Sequence, residues 1–225
     1  MSFADLTSHP PVELKDDESY LFMSALNNEI DCNTWNYYLN FLPSRLQNEV
    51  NTYRRWQDRQ NCLLGKLLVY SGYYLLYHKK LDFKLFWKDS NGKPFIRGGR
   101  YQFNISHTDN MVACVFSKQS IGIDVEQMKD IDFNIFDTVF SWEEMQEIRR
   151  QGQLKFYHYW TTKEAVTKAL GKGMSIPLLN IKMAGNHATF ANIKWFTNRL
   201  LWNGNYCTVV SASSKNRTMI KEIKF

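Results

Sequence analysis

The sequence predicts an α+β fold. Helix-like and strand-like segments are mixed without the strict alternation of a doubly wound sheet. The strand-like segments between residues 101 and 126 are joined by connections short enough for antiparallel pairing. The composition is that of a chain with a sizeable core: 44% hydrophobic, 22% charged and 15% aromatic. That balance excludes a disordered chain, which needs low hydrophobicity and a large charge excess, and 11 Gly with 5 Pro exclude collagen-like or linker-like sequence. A length of 225 residues suits one large domain or two small ones.

Along the chain, Val12 to Leu26 reads as an opening strand region interrupted by Asp16, Asp17 and Glu18. Thr34 to Leu42 has the apolar spacing of a short helix ended by Pro43. Arg54 to His78 reads as a long helix, against which Gly65 and Gly72 weigh. Phe83 to Trp87 is a short strand candidate, and Asn91-Gly92-Lys93-Pro94 a turn. Tyr101 to Ser106, Val112 to Phe116 and Ile121 to Glu126 read as three strands of a meander. At Phe140-Ser141-Trp142-Glu143-Glu144-Met145, Ser141 can cap a helix with Glu144 closing a capping box and Phe140 and Met145 forming a hydrophobic staple. A second helix, Leu154 to Leu170, stops at Gly171 and Gly173. The rest, Ile181 to Phe225, reads as short strands with turns at Gly185-Asn186 and Gly204-Asn205.

No span of about 20 apolar residues exists; the most apolar stretch, Leu63 to Tyr77, is broken by Lys66, Ser71 and two glycines. The first residues, with Asp5, His9, Pro10 and Pro11, lack the basic-then-apolar order of a signal peptide. Cys32, Cys62, Cys114 and Cys207 show neither a C-x-x-C pair nor zinc spacing, so a reduced, cytoplasmic protein with buried free thiols is expected. The net charge of +6 is unevenly spread: −6 over residues 1–44, +8 over 45–100, −6 over 101–149 and +10 over 150–225. Basic blocks attract polyanions or acidic partners; a solvated surface explains them equally.

Ile121-Gly122-Ile123-Asp124-Val125-Glu126 is the most informative stretch. Alternation puts Ile121, Ile123 and Val125 on one buried face and Asp124 with Glu126 on the other. Two neighbouring carboxylates repel, and a divalent cation such as Mg²⁺ removes the conflict; two solvated acids on an open face are the simpler alternative. In Trp160-Thr161-Thr162-Lys163-Glu164-Ala165-Val166-Thr167-Lys168, Glu164 and Lys168 share a helical face. They are either a surface ion pair or an acid and a phosphate-binding cation. His107, in Phe103-Asn104-Ile105-Ser106-His107, shares the face of Phe103 and Ile105, where a histidine is more often structural. Gly92 and Lys93 make either an ordinary exposed turn or a close approach to phosphate.

In order, Gly92-Lys93-Pro94, Phe103-Asn104-Ile105-Ser106-His107, Gly122-Ile123-Asp124-Val125-Glu126 and Trp160-Thr161-Thr162-Lys163-Glu164-Ala165, continuing to Lys168 and Gly171-Lys172-Gly173, resemble the 4′-phosphopantetheinyl transferase superfamily, of the long surfactin-synthetase-activating type. The resemblance runs from about Pro43 to Pro177. It implies two similar α+β halves related by a pseudo-twofold axis, here 1–120 for coenzyme A contacts and 121–225 for the metal-binding strand and helix. It implies a monomer, and Mg²⁺-dependent transfer of 4′-phosphopantetheine from coenzyme A to a serine hydroxyl of an apo acyl or peptidyl carrier protein, releasing 3′,5′-ADP. Asp124, Glu126 and Glu164 would hold Mg²⁺. Glu164 would also be the base, Lys168 would contact the pyrophosphate, and Gly92, Lys93, Pro94, Ser106 and His107 would line the nucleotide pocket.

The chain departs from the family at Asn61, where an arginine often stands four residues before the glycine of the long helix. Arg45, Arg54 and Arg55 are the candidates for the 3′-phosphate, with Arg45 foremost. The alternative class is a non-enzymatic polyanion or nucleic-acid binder. No recognition motif supports it, and it leaves the paired acids without a role; neither nucleic acid nor membrane is an expected partner.

Overall fold

The computed structural model describes residues 10, 12–26 and 28–225; Asp5, His9 and Pro11 lie outside them. The chain opens with β1 (Glu18–Ala25), followed by α1 (Cys32–Asn40), α2 (Ser44–Asn51) and α3 (Trp56–Tyr77). A small hairpin, β2 (Phe86–Lys88) and β3 (Pro94–Ile96), precedes β4 (Gln102–Thr108) and β5 (Met111–Ser117). The second part holds β6 (Ile121–Gln127), α4 (Trp142–Gln151), α5 (Gln153–Leu170), β7 (Lys182–Ala184), β8 (His187–Phe190), β9 (Ile193–Trp202), β10 (Asn205–Ser211) and β11 (Arg217–Glu222). The α+β reading holds, with a long helix packed on a sheet in each part.

One sheet has the order β11-β1-β5-β4, the other β6-β10-β9-β8-β7. The first is antiparallel except at β11, which runs parallel to β1. The last strand thus completes the sheet of the first part, and Ile223 is buried in that part's core. α3 lies on β1, β4 and β5. Gly72, which weakens the helix reading locally, is where α3 comes closest: a Cβ there would meet the Phe116 ring at 2.2 Å.

The expected meander ends at β5. Strand β6 does not continue beside β5; it lies on the far flank of β4 and pairs on its other edge with β10. The seam between β4 and β6 is closed by side chains. Ile123 N donates to Asn104 Oδ1 at 2.9 Å, and Val125 N donates to Ser106 Oγ at 3.2 Å. Two backbone donors of an otherwise bare edge are thereby satisfied. Below the seam, Leu21, Met23, Ala113 and Val115 of the first sheet pack with Ile123, Val125, Cys207 and Val209 of the second, so both sheets share an apolar interior.

Other differences are local. The acidic cluster before β1 forms a turn, so the strand begins only at Glu18. Phe83–Leu85 is a 3-10 turn, because the Asp82 carboxylate accepts from Lys84 N and opens a helical turn ahead of β2. Of the four thiols expected to be buried, Cys114 and Cys207 are; Cys62 is half-buried and Cys32 exposed at the start of α1. The α4 capping box forms as read, and Gly171 ends α5 in the left-handed conformation at φ 66°. No helix among the described residues is long and apolar enough to cross a membrane.

Gly122 fixes how close α5 comes to β6. A Cβ there would lie 1.9 Å from the Ala165 carbonyl oxygen and 2.8 Å from Ala169 N, and helix backbone cannot yield as a flexible side chain can. Gly122→Ala is expected to cost about 1–3 kcal/mol, the usual range for overpacking, read from urea or thermal melts. An unchanged midpoint would show that the helix does not rest on this strand.

His158, on the flank of α5 away from Trp160, is buried with Nε2 unpartnered. Burial first, then the cations Arg199 and Lys155, lower its pKa from 6.5 to about 4, with Glu147 opposing. The unfolded chain therefore binds more protons in that interval. Stability present above pH 6.5 is lost as the pH falls to about 4, on the order of 3 kcal/mol from this residue. His158→Gln is expected to flatten the dependence of the melting midpoint on pH in that window.

Candidate active site

The acids of β6 face α5. Asp124 is not on an open face: it is 3% exposed. Gly122, two residues earlier on the same face, lets α5 approach closely enough to cover it. From α5, Trp160, Glu164 and Lys168 follow one another at helical spacing. Trp160 Nε1 donates to Glu126 Oε1 at 2.9 Å. Lys168 Nζ donates to Asp124 Oδ1 at 2.6 Å and to Ser106 Oγ at 2.9 Å. Ser106 Oγ stands 3.1 Å from the same Asp124 oxygen while accepting from Val125 N. Lys168 is thus no surface partner of Glu164. It joins β4, β6 and α5 at the seam.

The charges conflict. Burial first, then Asp124, raise the Glu164 carboxyl above the usual carboxylate value against the pull of Lys168. Glu126 is raised in the same way, burial first and Asp124 next, with the Trp160 hydrogen bond and Lys168 opposing. Asp124 Oδ2 is buried with no partner. Among the described residues no three acidic, histidine or cysteine side chains close into a metal-holding group. The donor set nevertheless fits a hard divalent cation: all oxygen, three carboxylates within one another's field, and one buried oxygen unsatisfied.

Around the seam lie two cavities. One, of about 220 Å³, opens between α2, α3, the β2–β3 hairpin and β4, with Asn61, Cys62, Lys66, Lys88, Pro94 and His107 in its wall. Lys66 and Lys88 both hold Glu49 Oε1, at 3.1 and 2.8 Å. Asn61 donates to Thr108 O and keeps a buried Oδ1 without a partner. Gly92 also borders this cavity. His107 is exposed on one side; the protein packed around its other side, then the Lys168 ammonium, hold its pKa below the usual histidine value. The second cavity, of about 480 Å³, lies beside Glu126 and Trp160 and is lined by Lys129, Phe136, Phe156 and Tyr157.

The remaining candidates sit at the margins. Lys93 Nζ donates to Ala169 O at 2.7 Å, which docks the β2–β3 hairpin on the C-terminal end of α5; burial lowers its pKa, with Asp89 opposing. Arg45 donates to the Phe86 carbonyl at 2.7 Å and lies over the Trp87 ring. Arg55 pairs with Asp109 at 3.2 Å, both exposed. The sequence reading missed Glu49, Lys66 and Lys88. Lys66 was visible only as a charge interrupting an apolar helix, which is itself a signal, since a buried lysine needs a partner.

A seam between two α+β parts, with three carboxylates and a lysine at its centre and lysines in the adjoining cavity, is an arrangement that suits ligands of the polyanionic class. Known proteins make the class specific. Residues 120–212 match the family model of the 4′-phosphopantetheinyl transferase superfamily, and residues 30–119 match that of the N-terminal part of a 4′-phosphopantetheinyl transferase. The chain is 34% identical over 155 residues to the 4′-phosphopantetheinyl transferase gsp of Aneurinibacillus migulanus, covering 67% of this chain and 65% of that protein. It is 33% identical over 126 residues to psf-1 of Bacillus pumilus (54% of each) and 32% identical over 146 residues to Sfp of Bacillus subtilis strain 168 (63% of this chain, 65% of that one). The matches therefore span just under two thirds of the gsp and Sfp relatives and about half of psf-1. The chain belongs to the 4′-phosphopantetheinyl transferase superfamily.

Proposed function

We propose that this protein transfers 4′-phosphopantetheine from coenzyme A to a serine hydroxyl of an apo acyl or peptidyl carrier protein, releasing 3′,5′-ADP. The observation that carries the reading is the Lys168–Asp124–Ser106 junction, with Glu164 one helical turn from Lys168 on the same face. In this reading the serine oxygen attacks the phosphorus bearing pantetheine, the bond to the bridging pyrophosphate oxygen breaks, and 3′,5′-ADP leaves. Such a transfer requires alignment and charge neutralisation more than covalent help. Lys168 holds pyrophosphate oxygens. Glu164, its proton affinity raised by burial and by Asp124, takes the serine proton directly or through water.

Asp124, Glu126 and Glu164 would hold Mg²⁺, which when bound neutralises pyrophosphate charge. The cavity bounded by Gly92, Pro94 and His107 would take the nucleotide end, with Lys66 and Lys88 beside its phosphate. Arg45 and Lys93 would serve it from the rim by fixing the β2–β3 hairpin, and Ser106 by holding Lys168. The basic blocks suit both coenzyme A and an acidic carrier. We divide the halves at 120/121, with the tail strand returning to the first sheet, and place the protein in the cytoplasm as a monomer, since one chain supplies both sides of the seam.

The test is intact-mass analysis of apo acyl and apo peptidyl carrier proteins after incubation with this protein, coenzyme A and Mg²⁺, beside an EDTA control. A metal-dependent gain of one phosphopantetheine is expected. No gain while coenzyme A binds would overturn transfer to these carriers. No gain and no coenzyme A binding would favour the polyanion-binding alternative.

A further inference from the structure

A cavity of about 620 Å³ lies on the other flank of α5, outside the site described above. His158 is in its wall, and Trp160 stands roughly 160° away around the helix at 100° per residue. The stacked pair Tyr157 and Tyr206, ring centroids 6.4 Å apart, divides the two: Tyr157 lines the cavity beside Glu126, and Tyr206 lines this one. Nothing in the proposed transfer uses it.

Its lining is of two kinds. Leu154 and Leu201 are half exposed, and Leu200 continues the apolar surface between them. The polar part sets the cations Arg199 and Lys155 beside Gln151, His158 and Tyr206. Arg199 gives one nitrogen to Asn186 Oδ1 at 3.1 Å and also hydrogen-bonds Tyr206, which leaves donors of its five N–H groups free. Lys155 is shared with Glu147 at 3.0 Å. His158 is 97% buried and its Nε2 has no partner. The large majority of buried polar side-chain atoms have one, so this atom marks where the cavity wall can take a polar partner. At neutral pH the imidazole is uncharged, because burial and the neighbouring cations lower its pKa to about 4. A neutral ring beside two cations donates best to an anion, which would also relieve the Arg199 and Lys155 charges.

We propose that this cavity is a second ligand site, for a small organic anion that sets a carboxylate against His158 Nε2 and Arg199 and an apolar body against Leu154 and Leu201. A volume of 620 Å³ falls within the usual range for small-molecule pockets. The site stands whether or not carrier transfer is observed.

Octanoate is the probe, with octanol and inorganic phosphate as the two half-ligands, followed by NMR of the histidine side chains and of the Leu154, Leu201 and Tyr206 amides. The His158 signal is assigned by its loss in His158→Gln. Octanoate is expected to shift it saturably, and the exposed variant Arg199→Gln to bind about tenfold more weakly, the loss expected for one hydrogen bond to a charged group. No saturable shift with octanoate overturns the proposal, as does unchanged affinity in Arg199→Gln. Equal shifts with octanol show an apolar crevice only, and equal shifts with phosphate a bare anion contact; either result also overturns it. If His158→Gln does not fold, the three amides and Arg199→Gln carry the test alone.

Discussion

Glu164→Gln is expected to lower the proposed phosphopantetheine transfer by about 10²–10⁴, the usual contribution of a positioned proton acceptor, and to leave the fold intact. Both halves follow from the surroundings of this carboxylate. Glu164 lies on α5 between Trp160 and Lys168, facing the strand that carries Asp124. Its pKa is raised by burial and then by Asp124. A base of raised pKa is better matched to a hydroxyl proton, and glutamine of the same shape cannot accept it. The sign for stability is the reverse. A carboxylate whose folded pKa lies above its unfolded value of 4.5 contributes stability below that unfolded value, lost as the pH rises through the folded one. At neutral pH the charge is a cost, and removing it is expected to leave the variant at least as stable as the parent. Intact-mass rates and thermal melts on one preparation check both halves. Near-normal turnover would remove Glu164 from the proton-transfer role. Lost activity with a lowered melting midpoint would make it structural.

The legible parts of the molecule were the ones specified within a few residues. The Ser141–Glu144 capping box needs only its own turn. The turn between β9 and β10, read at Gly204-Asn205, falls one residue earlier at Asn203-Gly204, with φ of 48° and 73°, and needs only a dipeptide that tolerates the left-handed region. The acidic strand was legible because alternation along a strand is local. What escaped was tertiary. α2 escaped because it starts after Pro43 with no side-chain cap. The strand character of β11 was legible, but its pairing with β1 escaped because the partner is 199 residues away, Ser19 beside Thr218. The Glu49–Lys66–Lys88 cluster brings a charge from α2 to one on α3 and one on the hairpin, and no spacing in the chain announces it. The Glu164–Lys168 interval suggested an ion pair, yet Lys168 reaches Asp124 because α5 rests on β6 at Gly122. Periodicity shows which residues share a face; what that face meets is decided by packing.

Lys163, the residue before the proposed base, shows the same limit most sharply, and its removal is expected to be the costliest single change to the fold. Its side chain is 0% exposed. Nζ donates to Glu144 Oε2 at 2.6 Å, to the Val139 carbonyl at 3.1 Å and to the Leu178 carbonyl at 3.2 Å, with the Phe140 ring 5.1 Å away. Glu144 in turn accepts from Ser141 N, closing the α4 cap, and from Met183 N in β7. One buried pair thus ties the start of α4, the middle of α5 and β7, an edge strand of the second sheet. Burial lowers the lysine pKa against the pull of Glu144, so desolvation is already a large cost of the pair. Lys163→Ala leaves Glu144 buried without its cation, removes the lysine donor from the Val139 carbonyl, and leaves the Leu178 carbonyl to Ile181 N. Breaking such a pair from one side costs about 3–5 kcal/mol. Replacing both partners by apolar residues of similar volume removes the uncompensated charge, so Lys163→Met combined with Glu144→Leu is expected to be less destabilised than Lys163→Ala alone, although the α4 cap and the Met183 bond go with it. Urea unfolding of the parent, Lys163→Ala, Lys163→Met, Glu144→Leu and the Lys163→Met/Glu144→Leu double variant gives the coupling. A loss below about 1 kcal/mol in Lys163→Ala, the level of an exposed pair, would mean that the lysine is solvated and that the junction of α4, α5 and β7 is held by the apolar contacts of Phe140, Met145 and Ile148 alone.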